Sequence, residues 1–319
     1  MIPQFVPFGG TAPAGALAID GAVADAAAIY SHWQGDHTTP TELAADTSTA
    51  MLVRAAQDPT RWLAPFPVAC NNHLDADGLL SLLAACRPDL AQIHAARLIA
   101  AATAGDFAMW TGPVAYDLLL RVHQLIRTVE ASGPGWEQRC MNEVVAQADT
   151  LLTGPWPDAE DRAAAIAQTT AAIAHLQRDP PRIHGRLAIV RWQRHHGRAD
   201  SYNTVYQPDD LPLLALSTVI PPTCFQLLLE SAADGLRMNL DAPRHSWART
   251  IDLPAVPWPD VTGLAAGLHA GDPSVDWLTR PAAQALGFTC LLGSARDAQP
   301  AGCRLSADHL ITACSSVIR

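Results

Sequence analysis

One stretch limits what this chain can fold into more than any other. Phe66-Pro67-Val68-Ala69-Cys70 is a short apolar run. Asn71-Asn72-His73-Leu74-Asp75-Ala76-Asp77-Gly78 follows it and is polar, and from Leu79 to about Cys86 the chain turns apolar again. A short apolar run suits a buried strand, and an acid just before a longer one suits a helix start. Strand, polar turn and helix make up the unit of an open α/β sheet, which binds ligands beyond the carboxyl ends of its strands. In an extended backbone, residues i, i+2 and i+4 point the same way, so His73, Asp75 and Asp77 are expected to converge there. Two carboxylates and an imidazole suit a divalent cation: Mn²⁺ before Mg²⁺ because of the histidine, with Fe and Zn open. Gly78 can take a positive φ and lets the helix begin tightly, and the helix N-terminus offers N–H groups to an anion such as phosphate. The alternative is an acidic surface turn in which Asp77 only caps the helix.

The rest of the chain fits an α/β protein. Ala16–Asp20 and Ala26–Tyr30 are read as strands, with a helix from Pro40 to about Ala56. The middle is helical: Asp89 to about Ala104, stopped at Gly105; Pro113 to Val129 with one apolar face that includes Val114; then Trp136–Leu152 and Pro157–Arg178. Leu187–Val190 is a strand. Phe225–Glu230, Leu236–Leu240 and His245–Thr250 read as an antiparallel meander turning at Asp234-Gly235 and Ala242-Pro243. The expected architecture is a largely parallel central sheet with flanking helices and a helical block over residues 1–183. A smaller α+β domain over residues 184–319 is expected to close over the site.

Composition removes whole classes of chemistry. All 21 basic residues are arginine. With no lysine, the chain has no Schiff-base lysine, no P-loop lysine and no lysine base. It carries no G-x-S-x-G, H-E-x-x-H or G-x-G-x-x-G motif. A net charge of −10 argues against nucleic acid and anionic membranes as partners, which leaves a small-molecule substrate; a homodimer stays open. The seven cysteines include no C-x-x-C pair, so reduced, buried thiols are expected. Met1–Pro7 lacks a basic, then apolar, leader pattern, and a cytoplasmic location is the expectation.

His73-Leu74-Asp75-Ala76-Asp77-Gly78-Leu79-Leu80-Ser81 resembles the first motif of the DHH phosphoesterase superfamily, which supplies aspartates to a two-metal site. More of the chain resembles an uncharacterised bacterial family with the same motif after Asn-Asn. That family also shares Ser31-His32-Trp33, Thr47-Ser48, Gly105-Asp106-Phe107 and an aromatic segment like His245-Ser246-Trp247. The DHH resemblance implies a manganese-dependent phosphoesterase or pyrophosphatase. The third motif of that superfamily, Asp-His-His, is absent; Arg194-His195-His196-Gly197 is the nearest text, with arginine in place of the aspartate.

Other residues complete the expected site. His32 ends a strand and reaches the same edge as His73 if the two strands are parallel neighbours; otherwise it is an ordinary buried histidine. Asp36 and His37 follow in a loop and are weaker candidates. Asp106 is either a ligand or a polar residue after a glycine helix stop. Asn72 is placed at the substrate, and Asp75 and Asp77 at the chemistry. Asp46-Thr47-Ser48-Thr49 are poor helix formers that could face the site. Arg244 or Arg249 could close over an anion. The expected metal set is therefore His32, His73, Asp75, Asp77 and Asp106. The expected activity is a metal-dependent hydrolase acting through an activated water. A metal enzyme on a non-phosphate compound of secondary metabolism, or a degenerate ligand-binding member, are the alternatives.

Overall fold

The computed structural model describes residues 1–35, 38–193, 213–279, 289–296 and 299–318. It is a mixed α/β protein whose chain divides into two compact units. Met1–Ala167 with Ala248–Leu253 form the first, and Gln168–Trp247 with Pro254–Arg319 form the second.

The first unit holds strands β1 (Ile2–Phe5), β2 (Leu17–Ile19), β3 (Ala28–Tyr30) and β4 (Val68–Asn71) in one parallel sheet of order β1-β4-β2-β3. Every residue of β2 is buried, which is why this apolar triplet takes a central place. β1 was not among the strands read from the sequence, and it contains Pro3. It lies at the edge of the sheet with alternating exposure, where a missing N–H is tolerated.

Helices α1 (Ser48–Ala55), α2 (Pro59–Trp62), α3 (Ala76–Cys86), α4 (Pro88–Ile93), α5 (Ala95–Phe107), α6 (Pro113–Glu130), α7 (Trp136–Ala146) and α8 (Ala148–Thr153) complete the unit. α9 (Ala159–Arg178) starts in this unit and ends in the second. α3 is buried on all sides from Ala76 to Ala85, and it packs against α1, α5 and α7. An all-round apolar helix belongs in such a place. The helical block is tied together at Asp117. Its Oδ1 accepts from Arg162 Nε at 2.8 Å, and its Oδ2 accepts from Arg121 Nε at 2.8 Å and Arg97 Nη2 at 3.3 Å.

Several boundaries differ from the sequence reading. No helix opens at Pro40; residues 41–43 form a turn and α1 starts at Ser48, where the Thr47 hydroxyl accepts from Ala50 N–H. Short polar residues are better caps than helix interiors, so the run at 46–49 starts the helix instead of lying within it. Asp89 lies in the first turn of α4 and does not cap it, and the segment expected as one helix breaks at His94. Trp136–Leu152 likewise breaks at Gln147. Val114 is 64% exposed, so the apolar face of α6 begins one residue later, at Ala115.

The second unit is built on β5 (Arg182–His184), β6 (Leu187–Gln193), β7 (Phe225–Ala232), β8 (Gly235–Asp241), β9 (Asp276–Thr279), β10 (Thr289–Arg296) and β11 (Gln299–Pro300). The order is β11-β10-β8-β7-β6-β5, with β9 also on β10; β6 and β7 are parallel and the other pairs antiparallel. Leu187 and Ile189 face a core with α11 (Thr262–Gly271) and α12 (Ala307–Val317). Ala188 and Val190, one residue out of phase, face Leu176 of α9 and Leu216 of α10 (Leu213–Leu216). The hairpin at Asp234-Gly235 is as expected. The third meander strand is not. β8 stops at Asp241 and residues 244–247 turn, with Ser246 N–H donating to Pro243 O at 2.8 Å.

No helix among the described residues is long and apolar enough to cross a membrane. Cys70, Cys86, Cys140, Cys224, Cys303 and Cys314 are free thiols, and burial pushes Cys140 and Cys314 up to about 12. Such thiols are unreactive core residues.

Candidate metal centre

The carboxyl ends of β2, β3 and β4 lie at one edge of the parallel sheet, since Ile19 pairs with Tyr30 and Ala18 with Cys70. Asp20, His32 and His73 follow these three ends. His32 was expected to reach the edge of His73 if their two strands were parallel neighbours. In fact β2 stands between theirs, and that puts Asp20, which the sequence reading passed over as a strand terminus, between the two histidines. The chain turns sharply at Asp20, whose φ is +64°.

Asp75 and Asp77 do not reach the site from an extended strand. β4 ends at Asn71, whose Oδ1 accepts from the N–H of Asn72 at 2.7 Å and of His73 at 3.3 Å, and the chain turns there. Asp75 is the N-cap of α3, its Oδ1 accepting from Gly78 N–H at 2.8 Å, and Asp77 lies in the first helical turn. Helix geometry, not strand alternation, brings them in. Gly78 is helical, so its value is space: a Cβ there would stand 2.5 Å from Asn71 Nδ2, 3.1 Å from Asp20 Oδ2 and 3.3 Å from Asp75 Oδ1. Gly105 does not stop a helix either. It lets α5 approach Ala76, where a Cβ would sit 2.9 Å from the Ala76 Cβ, and so carries Asp106 to the cluster.

Two groups result, and they share Asp20. In the first, His32 Nε2 lies 3.4 Å from Asp20 Oδ1, 3.6 Å from Asp77 Oδ2 and 3.2 Å from Asp106 Oδ2. All four side chains are at most 5% exposed. In the second, His73 Nε2 lies 3.1 Å from Asp20 Oδ2 and 3.5 Å from Asp75 Oδ2. This group is open: His73 is 18% and Asp75 47% exposed.

Both imidazoles are held through Nδ1. That of His32 lies 2.5 Å from Asp46 O, and that of His73 lies 2.9 Å from Asn72 Oδ1. An Nδ1–H donated outward leaves Nε2 for the carboxylates, the arrangement usual for a ligating histidine. Asn72 thus has its Oδ1 on His73 and its Nδ2 on Ala22 O at 2.8 Å. It orients a ring. Gly21 makes room for it, as a Cβ there would be 2.5 Å from Asn72 Oδ1. Of the polar run at 46–49, Ser48 and Thr49 face the site. Ser48 N–H and Thr49 N–H donate to Asp77 Oδ2 and Oδ1 at 2.7 and 2.8 Å, and Ser48 Oγ donates to Asp20 Oδ1 at 2.8 Å. Asp77 is a cap as well, but of α1, not of its own helix.

The donor set fits a divalent cation. Bonds of about 2.0–2.2 Å put neighbouring ligand atoms ~3–3.6 Å apart, the range of the separations seen here. Asp20 Oδ2 and His73 Nε2 are buried and face each other without forming a hydrogen bond. Packing several carboxylates together away from water is costly unless positive charge balances them. Burial and the charge of Asp20 push Asp77 up to about 7. Burial, with Asp77 and Asp75 nearby, holds Asp106 well above the usual carboxylate range. Burial opposes the charged form of His73, but Asp75 and Asp20 outweigh it and hold the ring at about 11. Burial would also raise Asp20, yet the positive charge of the neighbouring His32 and His73 rings keeps it below the usual range. The imidazolium protons of His32 and His73 balance the acids.

Asp36, His37 and Arg194-His195-His196-Gly197 lie outside the described residues. Arg244 pairs with Asp241 at 3.6 Å in the second unit. Neither the curated proteins nor the solved structures include a match to this chain. The DHH likeness stays a likeness of one motif, while the match to a family model runs over residues 1–293. The chain belongs to DUF6687, a family of unknown function.

Proposed function

We propose that this chain is a divalent-metal-dependent hydrolase, a phosphoesterase or pyrophosphatase for a small molecule, with Mn²⁺ as the preferred ion. The observation that carries this reading is the shared carboxylate. Asp20 turns Oδ1 toward His32, beside Asp77 and Asp106, and Oδ2 toward His73 and Asp75. A pair of adjacent cation positions suits phosphoryl chemistry, where charge develops on both the attacking and the leaving oxygen. Divalent cations held there would polarise a phosphoryl oxygen and lower the pKa of a bound water.

The chain's own residues divide the work. Asp20, His32, Asp77 and Asp106 make a closed, dry position with four protein ligands, as in a site that holds an ion permanently. Asp20, His73 and Asp75 supply three ligands at an open position, which leaves room for a substrate oxygen and a water. The ring of Trp33 lies 5.1 Å from that of His73, beside the open position. Asp75, the exposed carboxylate of this group, would hold the open-position cation through Oδ2 and so orient the water that the cation activates.

The test is turnover of pyrophosphate and of bis(p-nitrophenyl) phosphate with and without Mn²⁺. Cation-dependent turnover is expected, reduced ~10²–10⁴-fold in Asp75→Asn. Tight Mn²⁺ binding with no phosphoester turnover would move the assignment to a non-phosphate substrate.

A further inference from the structure

Asp46 belongs to neither cation group, yet it is bonded on both sides. Its carbonyl oxygen faces Nδ1 of His32 at 2.5 Å. Its carboxylate Oδ1 accepts from Ile251 N–H and, at 2.9 Å, from Asp252 N–H. Ile251 and Asp252 belong to the segment Ala248–Leu253, where the chain re-enters the first unit. That segment also holds His32 by its backbone: Arg249 N–H donates to His32 O at 2.7 Å, and Trp33 and Ala248 form an antiparallel bridge.

The bonds close a ring. The imidazole of His32 meets the carbonyl of residue 46, the carboxylate of residue 46 pins residues 251 and 252, and residue 249 returns to the carbonyl of His32. A histidine fixed at its backbone and at its ring has one orientation, and Nε2 then keeps its 3.2–3.6 Å approach to three carboxylates. Groups that orient a ligand in this way contribute strongly to metal affinity. His73 has a separate support, Asn72.

We propose that Asp46 is a positioning residue, and that its grip on residues 249–252 sets His32 for the buried cation position. The inference rests on the cation reading above and assigns a support to each position: Asp46 with the returning segment to the buried one, Asn72 to the open one.

The experiment is a Mn²⁺ titration of the full chain, following free Mn²⁺ by electron paramagnetic resonance, with a thermal melt of each variant in chelator. Asp46→Ala is expected to weaken one of two classes of bound Mn²⁺ by ~10–100-fold and to leave the other unchanged. Asp46→Asn restores it, because both donated N–H groups go to one oxygen that an amide also has. Asn72→Ala weakens the other class. Asp46→Ala binding like wild type, or Asp46→Asn failing as fully as Asp46→Ala, would overturn the proposal. A wild-type chain that takes up no Mn²⁺ would instead overturn the cation reading, and the proposal with it, so the two failures are distinct.

Discussion

Replacing Gly78 by alanine sets two effects of opposite sign against each other. Glycine inside a helix costs roughly 0.5–1 kcal/mol relative to alanine, so propensity alone makes Gly78→Ala stabilising. Space argues the other way. The new methyl would stand 2.5 Å from Asn71 Nδ2 and 3.1 Å from Asp20 Oδ2, about 1 Å inside an ordinary contact for the first of these. Asn71 is 1% exposed and its Oδ1 already holds two backbone N–H groups, so it has nowhere to go. Overpacking of this kind costs about 1–3 kcal/mol. The net is a loss of up to about 2 kcal/mol, or a fall in Tm of several degrees for a unit of this size, read by calorimetry in chelator. Cation binding should suffer more. The methyl pushes on Asp20 and Asp75 together, and a ~10-fold or larger loss of Mn²⁺ affinity is expected. A higher Tm with unchanged Mn²⁺ affinity would refute the reasoning, since it would mean that the pocket at Gly78 has room.

Asp77→Asn leaves one of the buried N–H groups of Ser48 and Thr49 without an acceptor; a loss of about 1–3 kcal/mol is expected in a chelator-treated urea melt, and an unchanged midpoint would contradict the capping role. Asp117→Ala strands three arginines, one of them, Arg162, 7% exposed. It should cost about 2 kcal/mol or more, below the roughly 3–5 kcal/mol of a fully buried pair because Asp117 is 21% exposed; a smaller loss than for an isolated surface pair would count against the hub. In the metal-free protein, Asp77, raised to about 7, keeps a proton that the unfolded chain has released, so this contribution to stability falls between about pH 4 and 7. His73, raised to about 11, contributes stability below its ordinary value that fades as pH rises toward 11. Both slopes fall with pH while a cation competes with those same protons, so the Tm gain from Mn²⁺ should grow from pH 5.5 to 8; an equal gain at both would count against displacement of protons.

How much of this was written legibly in the chain differs from residue to residue. The motif at 73–78 was plain because two acids and a histidine gathered at the end of an apolar run have few other uses. His32 and Asp106 were legible as candidates, though for partly wrong reasons. Strand alternation was invoked where a turn and a helix start do the work, and Gly105 was read as a stop where it is a point of close packing. Asp20 was missed because a three-residue strand with a terminal acid looks like any strand end. Its signal was a fully apolar triplet followed by Asp-Gly, parallel in kind to the strand that ends at Asn71. The roles of Asp46 and of residues 248–253 were out of reach, because they depend on a contact across some two hundred residues of chain that no local pattern encodes. The segment after Asp241 was misread as a strand because Trp247 and Thr250 are of types that favour strands, whereas residues 244–247 turn and Ser246 N–H bonds back to Pro243 O.

The most direct measurement is metal content per chain after Mn²⁺ loading, for wild type, Asp75→Ala and Asp20→Ala side by side. The account predicts two equivalents for wild type, one for Asp75→Ala, and none held tightly by Asp20→Ala, whose missing carboxylate serves both positions. Wild-type protein with no bound Mn²⁺, or Asp20→Ala that keeps both equivalents, would contradict it.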